Sequence, residues 1–251
     1  MARNIKKKKK SEIYLYHRLL RYPCFPVAPL KRNKIIHELK NGTVTILNRN
    51  ATITDAQRLF SVVKLISEGK ADIQHAAYYY DNEIEEISIV KIQLKDIKAT
   101  KNRNDYYEFI ESIEKISTMS IFYKDSESVT ILKPIVKVTL NDFSIIIHFQ
   151  KVFLDACLRK FYSNKNISLA IDYDMFTSLT KHSKNLYMYL TAHRDKKCFE
   201  IMTLLNRCLF LLTISNISDA IKKLKKCLNE LVLKNYIKRF YFQNNKVYIQ
   251  Y

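Results

Sequence analysis

Glycine is nearly absent from this chain, with two in 251 residues. Phosphate-cradling loops of the P-loop and Rossmann kinds need several glycines close together, so ATPase and dinucleotide chemistry are excluded. Metal and thiol patterns are missing as well. The five cysteines (Cys24, Cys157, Cys198, Cys208, Cys227) are odd in number and widely spaced, with no Cys-x-x-Cys pair to build a zinc ribbon. They read as buried, reduced thiols of a cytosolic protein. The six histidines show no close metal-ligand spacing. No Ser/His/Asp or paired-carboxylate arrangement stands out, and the histidine-hydrophobe-histidine motif of DNA-nicking enzymes is absent. The expectation is a protein that is not an enzyme and needs no cofactor or metal. No apolar run approaches the length of a membrane span, and the N-terminus has no secretory hydrophobic region. A soluble, cytoplasmic chain with no membrane partner is expected.

What the sequence does have is positive charge. The formal net charge is +19 and the pI about 9.6, the electrostatic footprint of a polyanion binder. Its placement is uneven. Residues 1–70 carry 16 basic against 4 acidic side chains, and 71–127 reverse the sign with 7 against 12. Basic residues return in excess over 128–198 and again over 199–251.

Taken in order, Arg3 and Lys6–Lys10 form a self-repelling block that reads as a disordered basic arm suited to phosphate contact. Pro23, Pro26 and Pro29 then make an extended connector, so 1–40 is read as arm and connector. A first unit, 41–160, opens with a strand at Thr43–Leu47. A helix over Gln57–Ser67 follows, capped near Thr54-Asp55 and closed at Gly69. Tyr78-Tyr79-Tyr80 reads as a packed segment before the strand Ile87–Leu94. A second helix, Asp105–Ser117, turns Phe109, Ile110, Ile113 and Ile116 inward and Glu108, Glu111 and Glu114 outward. It occupies the recognition position of a winged helix, yet its charge repels phosphate. Two hairpins, turning at Asp125-Ser126 and Asn141-Asp142, and a helix from Val152 complete the unit. Tyr162–Asn166 reads as an interdomain linker.

The second unit, 161–251, runs strand (Ile167–Ile171), helix (Tyr173–Leu179), helix (Lys184–Arg194), strand (Phe199–Ile201), helix (Met202–Cys208), turn, helix, hairpin. In the last helix, capped by Ser218, the apolar positions Ile221, Leu224, Leu228, Leu231 and Val232 form one stripe. Lys222, Lys225, Lys226 and Asn229 fall outside it, with Lys223 further round. Asn244-Asn245 suits a two-residue turn between strands at 236–242 and 247–251. A lysine-faced helix followed at once by a hairpin is how a winged helix meets DNA. The candidate DNA contacts are those helix positions, Lys238, Arg239 and Lys246 on the wing, and Lys181, His182 and Lys184. The last three would bind phosphate through a helix N-terminus. Lysine supplies phosphate affinity more than base choice.

From Val138 onward the order of motifs resembles the plasmid replication initiator (Rep) proteins, which bind repeats called iterons with two tandem winged-helix domains. Val138-Thr139-Leu140 to Phe153-Leu154 resembles the family's strand leading into a short helix. Phe161-Tyr162-Ser163 sits where its second domain starts. Asn185–Leu190 is similar to its Arg-Leu-Tyr-Glu-Leu-Leu helix, with Asn185 in place of the arginine. Ile201–Leu205, Ile217–Leu231 and the hairpin match the remaining succession. The resemblance implies an α+β fold of two tandem winged helices, with base contacts from the C-terminal domain and dimerisation from the N-terminal one. It also implies double-stranded origin DNA, host replication initiator and helicase as partners. A transcription regulator of the same architecture and an RNA-binding accessory protein remain open beside it.

Overall fold

Proline at positions 23 and 26 removes two backbone donors and forbids a helix, leaving carbonyls to be satisfied from outside the segment. In the computed structural model all four carbonyls from Pro23 to Pro26 are met, each from a different place. His37 Nε2 lies 3.0 Å from the Pro23 oxygen. Asn48 donates to the Cys24 oxygen at 2.7 Å, and Asn185 to the Phe25 oxygen at 2.9 Å. The Ile53 amide reaches the Pro26 oxygen at 2.9 Å. Cys24 and Phe25 are buried. The connector expected from the prolines is therefore an internal strut joining both halves of the chain.

The structure describes residues 12–30, 34–39, 41–48, 50–80, 83–97, 103–141, 143–158, 168–210 and 216–251. The expected basic arm (1–12), except for its last residue Glu12, and the linker at Tyr162–Asn166 lie outside them. So do the side chains of Tyr78, Tyr79 and Tyr80, whose backbone is described. Ahead of the strut, β1 (Glu12–Tyr16) leads into α1 (His17–Arg21). Ile13 and Leu15 of β1 are fully buried. The reading of 1–40 as arm and connector is thus corrected from residue 12 on. Apolar alternation over five residues was too short a signal to be read as a strand beside a lysine block.

The first half contains β2 (Lys34–Leu39), β3 (Gly42–Leu47) and α2 (Ile53–Ser67). Next come β4 (Asp72–Tyr80), β5 (Glu83–Gln93) and α3 (Arg103–Ser117). Four strands follow, β6 (Ser120–Lys124), β7 (Val129–Leu132), β8 (Ile135–Asn141) and β9 (Ser144–Gln150), then α4 (Lys151–Cys157). The strands form two antiparallel sheets, β2-β3-β6-β7 and β4-β5-β9-β8. Period-2 alternation turns Ile35, Ile46, Ile121 and Leu132 of the first sheet, and Val90, Ile147 and Phe149 of the second, into the core. Gly42 is required where β3 passes β6, because a Cβ there would stand 2.1 Å from the Lys124 carbonyl oxygen. α2 begins earlier than expected, behind Thr52, whose amide donates to Asp55 at 2.7 Å. Gly69, at φ +71°, follows its C-terminus as anticipated. β2 and β4 were not anticipated; both are edge strands, and their mixed polarity hides the pattern.

The second half holds β10 (Ser168–Asp172), α5 (Tyr173–Ser178), α6 (Lys181–Ala192) and β11 (Cys198–Glu200). Then come α7 (Ile201–Thr203), prolonged by a π turn over Leu204–Cys208, and α8 (Ile217–Leu233). The chain ends in β12 (Arg239–Gln243) and β13 (Lys246–Gln250). β10 pairs antiparallel with β1, and the other sheet runs β11-β13-β12. The result is a mixed α+β fold. Its halves share one hydrophobic core. The Phe60 and Phe176 rings meet at 5.2 Å, and Ser61 Oγ and the Tyr173 hydroxyl lie 2.7 Å apart. None of the five cysteines forms a disulfide, and four of them are buried. Among the described residues no helix is long and apolar enough to cross a membrane.

Asn185 carries the tie from α6 to the strut. Replacing it with alanine leaves the buried Phe25 oxygen without its donor, a loss of about 1–3 kcal/mol. Urea denaturation of the variant should show a lowered midpoint with an unchanged slope.

Candidate nucleic-acid interface

α8 is the most strongly amphipathic helix of the second half. Ala220, Leu224, Cys227, Leu228 and Leu231 are buried, and Ser218, Asp219, Lys222, Lys223, Lys225, Lys226 and Asn229 are exposed. The cap is Asn216, not the expected Ser218: its side chain accepts from the Asp219 amide at 2.9 Å. Asp219 then stands in the first turn, where the helix dipole favours an anion. At the other end Asn235 adopts φ +58°, and the Tyr236 amide returns to the Leu231 carbonyl. The helix therefore stops at Leu233.

The hairpin follows at once. Asn244 and Asn245 both have positive φ, 48° and 57°, the geometry of a type I′ turn. Val247 and Ile249 face the core, while Arg239, Tyr241 and Gln243 are exposed. β12 starts at Arg239, later than expected, because Ile237 is drawn into the core first. The hairpin tip is tied back to α7 by the Ile201 amide, which donates to the Asn245 carbonyl at 3.0 Å.

The candidate cations divide by what holds them. Lys222 reaches Asp219 at 3.1 Å on the surface, and Lys225 Nζ stands 5.2 Å from the centre of the Phe242 ring. Lys225 thereby points the lysine arc of α8 toward the hairpin. On its opposite flank Lys223 lies close enough to His182 to help burial push that imidazole below its usual range. Lys181 and Lys226 are exposed, as is Lys238. Arg239 Nε donates to Gln250 at 2.6 Å, and Lys246 is half-buried beside Glu200 at 3.5 Å. The arc thus runs from the start of α6, across α8, to the hairpin.

Lys184 does not join it. Its ammonium is buried, donates to Gln57 at 2.7 Å and lies 5.6 Å from the Phe176 ring centre. Burial first, then Lys181, pull its pKa below the usual lysine range against Glu230. The expectation that Lys184 contacts phosphate is corrected: its charge is spent between the two halves. The α6 N-terminus is also already occupied, by a carboxylate. Glu230 of α8 accepts from the Thr180 amide at 2.9 Å, the Thr180 hydroxyl at 2.7 Å and the Ser183 hydroxyl at 2.6 Å. This clamp sets α8 against α6 and was not seen in the sequence. Thr180-x-x-Ser183 is an ordinary helix start, and nothing local points to a partner fifty residues away.

In the first half the outer face of α3 keeps its acidic character. Glu108, Glu111 and Glu114 are exposed, with Glu108 paired to Arg58 and Glu111 to Lys115. Phe109, Ile113 and Ile116 bury the other face as expected, and Ile110 is only half-buried at its margin.

A scan against protein-family models and a search of curated proteins find no match. Solved structures do match. A crystal structure of RctB domain 2 and domain 3 is similar with a TM-score of 0.61 at 11% identity, covering 94% of this chain and 98% of that one. A second structure of RctB domains 2-3 gives 0.56 at 11% identity, covering 94% and 97%. The fold is that of RctB domains 2 and 3. The likeness spans both halves of this chain.

Burial raises the Glu230 pKa, but the hydrogen bonds from Ser183 and Thr180 and the charge of Lys234 outweigh it and hold the carboxyl below its ordinary value of 4.5. A carboxylate depressed in the folded state adds stability above its unfolded pKa and loses it as pH falls through the folded one. Glu230→Gln should therefore be less stable than the wild type at pH 7. The gap should close on acidification below pH 4.5, as followed by thermal melts across pH.

Proposed function

We propose that the chain is a DNA-binding replication initiator of the plasmid type, built as two tandem winged helices. The observation that carries this reading is the exposed lysine arc of α8, flanked by the start of α6 and by the hairpin. The succession of motifs similar to Rep proteins and the fold shared with RctB domains 2 and 3 support it. In this reading α8 docks in the major groove at origin repeats and the hairpin reaches adjacent phosphate. Lys181, Lys222, Lys223, Lys225, Lys226 and Lys238 supply affinity, and Asn229 faces the bases. The acidic α3 turns the first half toward a second copy of the chain or a host replication protein. Host initiator and helicase then load on the opened origin in the cytoplasm. The protein acts by binding rather than by catalysis.

Each neutralised phosphate contributes about −0.9 to the slope of log affinity against log salt. Replacing Lys222, Lys225 and Lys226 together by alanine should weaken duplex binding and flatten that slope by up to about three units. An unchanged slope in fluorescence anisotropy would sink the assignment of this face. Deleting residues 1–11 leaves β1 intact and should weaken binding to all sequences alike; selective loss at one sequence would mean that the arm reads bases. Footprints confined to direct repeats in its own replicon are expected of an initiator, and protection confined to a promoter would point to a transcription regulator.

A further inference from the structure

A cleft of about 460 Å³ opens where the two halves meet. The end of α1 supplies one wall with Arg21, the first half another with His37 and Glu38, and the second half a third with Tyr189, Lys196 and Arg207. Arg21, Lys196, Arg207 and Glu38 are exposed at its surface, whereas His37 and Tyr189 are buried beneath them. Three cations thus face one carboxylate. Among the described residues none of the three is salt-bridged, in contrast to Arg58, Lys64, Lys115 and Lys151 elsewhere in the fold.

The two arginines converge. Burial pushes the Tyr189 phenol up to about 12, and Arg207 and Arg21 both act on it in the opposite direction. Arg207 also adds to the burial that pushes His37 down, so the imidazole brings no positive charge of its own. His37 is further held by the Pro23 carbonyl. A neighbouring depression shares His37 and Arg207 and adds Lys34, continuing the basic seam along the junction. Guanidinium groups present planar, paired donors that match phosphate oxygens.

We propose that this cleft is a phosphate-binding site, gripped by Arg21 and Arg207 with Lys196 at its rim. The phosphate comes either from the backbone of bound DNA or from a free phosphorylated small molecule; the first source rests on the duplex binding proposed above, the second does not. The test compares the full chain, Arg21→Gln/Arg207→Gln, and the control Lys95→Gln/Lys137→Gln, which removes the same charge from exposed positions elsewhere. Two readouts are taken on each: the salt dependence of binding to duplex DNA, and the melting-temperature shift on adding inorganic phosphate or ATP.

A slope flattened by about two units relative to the control assigns the site to backbone phosphate. An unchanged slope, with a phosphate- or ATP-induced shift in the wild type that the arginine variant loses, assigns it to a free ligand. An arginine variant indistinguishable from the control in both readouts overturns the proposal. If the double variant melts lower than the control without ligand, the single variants Arg21→Gln and Arg207→Gln are read instead, each expected to remove about one unit of slope or half of the shift. Loss of slope in the α8 lysine variant without any effect of the arginines would keep the α8 interface and discard the cleft. The reverse result would do the opposite.

Discussion

Four backbone carbonyls in a row, Pro23 to Pro26, hold this molecule together in one arrangement. A buried carbonyl without a donor costs as much as a lost hydrogen bond, so each of the four imposes a position on its partner. His37 fixes the edge of one sheet, Asn48 and Ile53 the entry to α2, and Asn185 the body of α6. Because Asn185 belongs to the second half and the other three to the first, the strut sets how the halves face each other. The pairing of β1 with β10 adds a second tie in the same direction.

The candidate DNA face depends on that frame at one remove. α8 is oriented by Glu230, whose carboxylate gathers three donors at the start of α6, and α6 is in turn held to the strut. The same carboxylate fills the helix N-terminus that a phosphate would otherwise use, which leaves α8 and the hairpin as the basic surface on that side. Lys184 tells a similar story. Charge on the sequence counts toward DNA affinity only if the fold leaves it in water, and here one lysine of the cluster is used to join α2 to α6.

Much of the second half was legible residue by residue. The stripe Leu224, Leu228 and Leu231 is buried as its spacing requires, the outer lysines of α8 are exposed, and Asn244-Asn245 makes the turn its tolerance for positive φ suggests. The paired hairpins of the first half and the two-faced α3 were legible for the same reason. Strands β2 and β4 were not: β2 turns the polar His37 into the core beside Ile35 while Ile36 faces water, and none of the described side chains of β4 is fully buried, so neither shows an apolar alternation. β1 was hidden by its neighbour, a run of lysines that dominates any window containing it.

By itself the sequence determined the local elements and the sign of the surface. Periodicity, caps and turn residues act over a few positions and need no partner, and net charge is a sum that folding does not change. What only the tertiary structure decided is who meets whom. The proline segment became a strut because distant donors from His37, Asn48, Ile53 and Asn185 converge on it. Glu230 became a clamp because α6 starts beside it, and Arg21 and Arg207 came to face one cleft because two halves close on it. Those contacts join residues far apart in the chain, and their energies exist only once the backbone has brought them within hydrogen-bonding or Coulombic range.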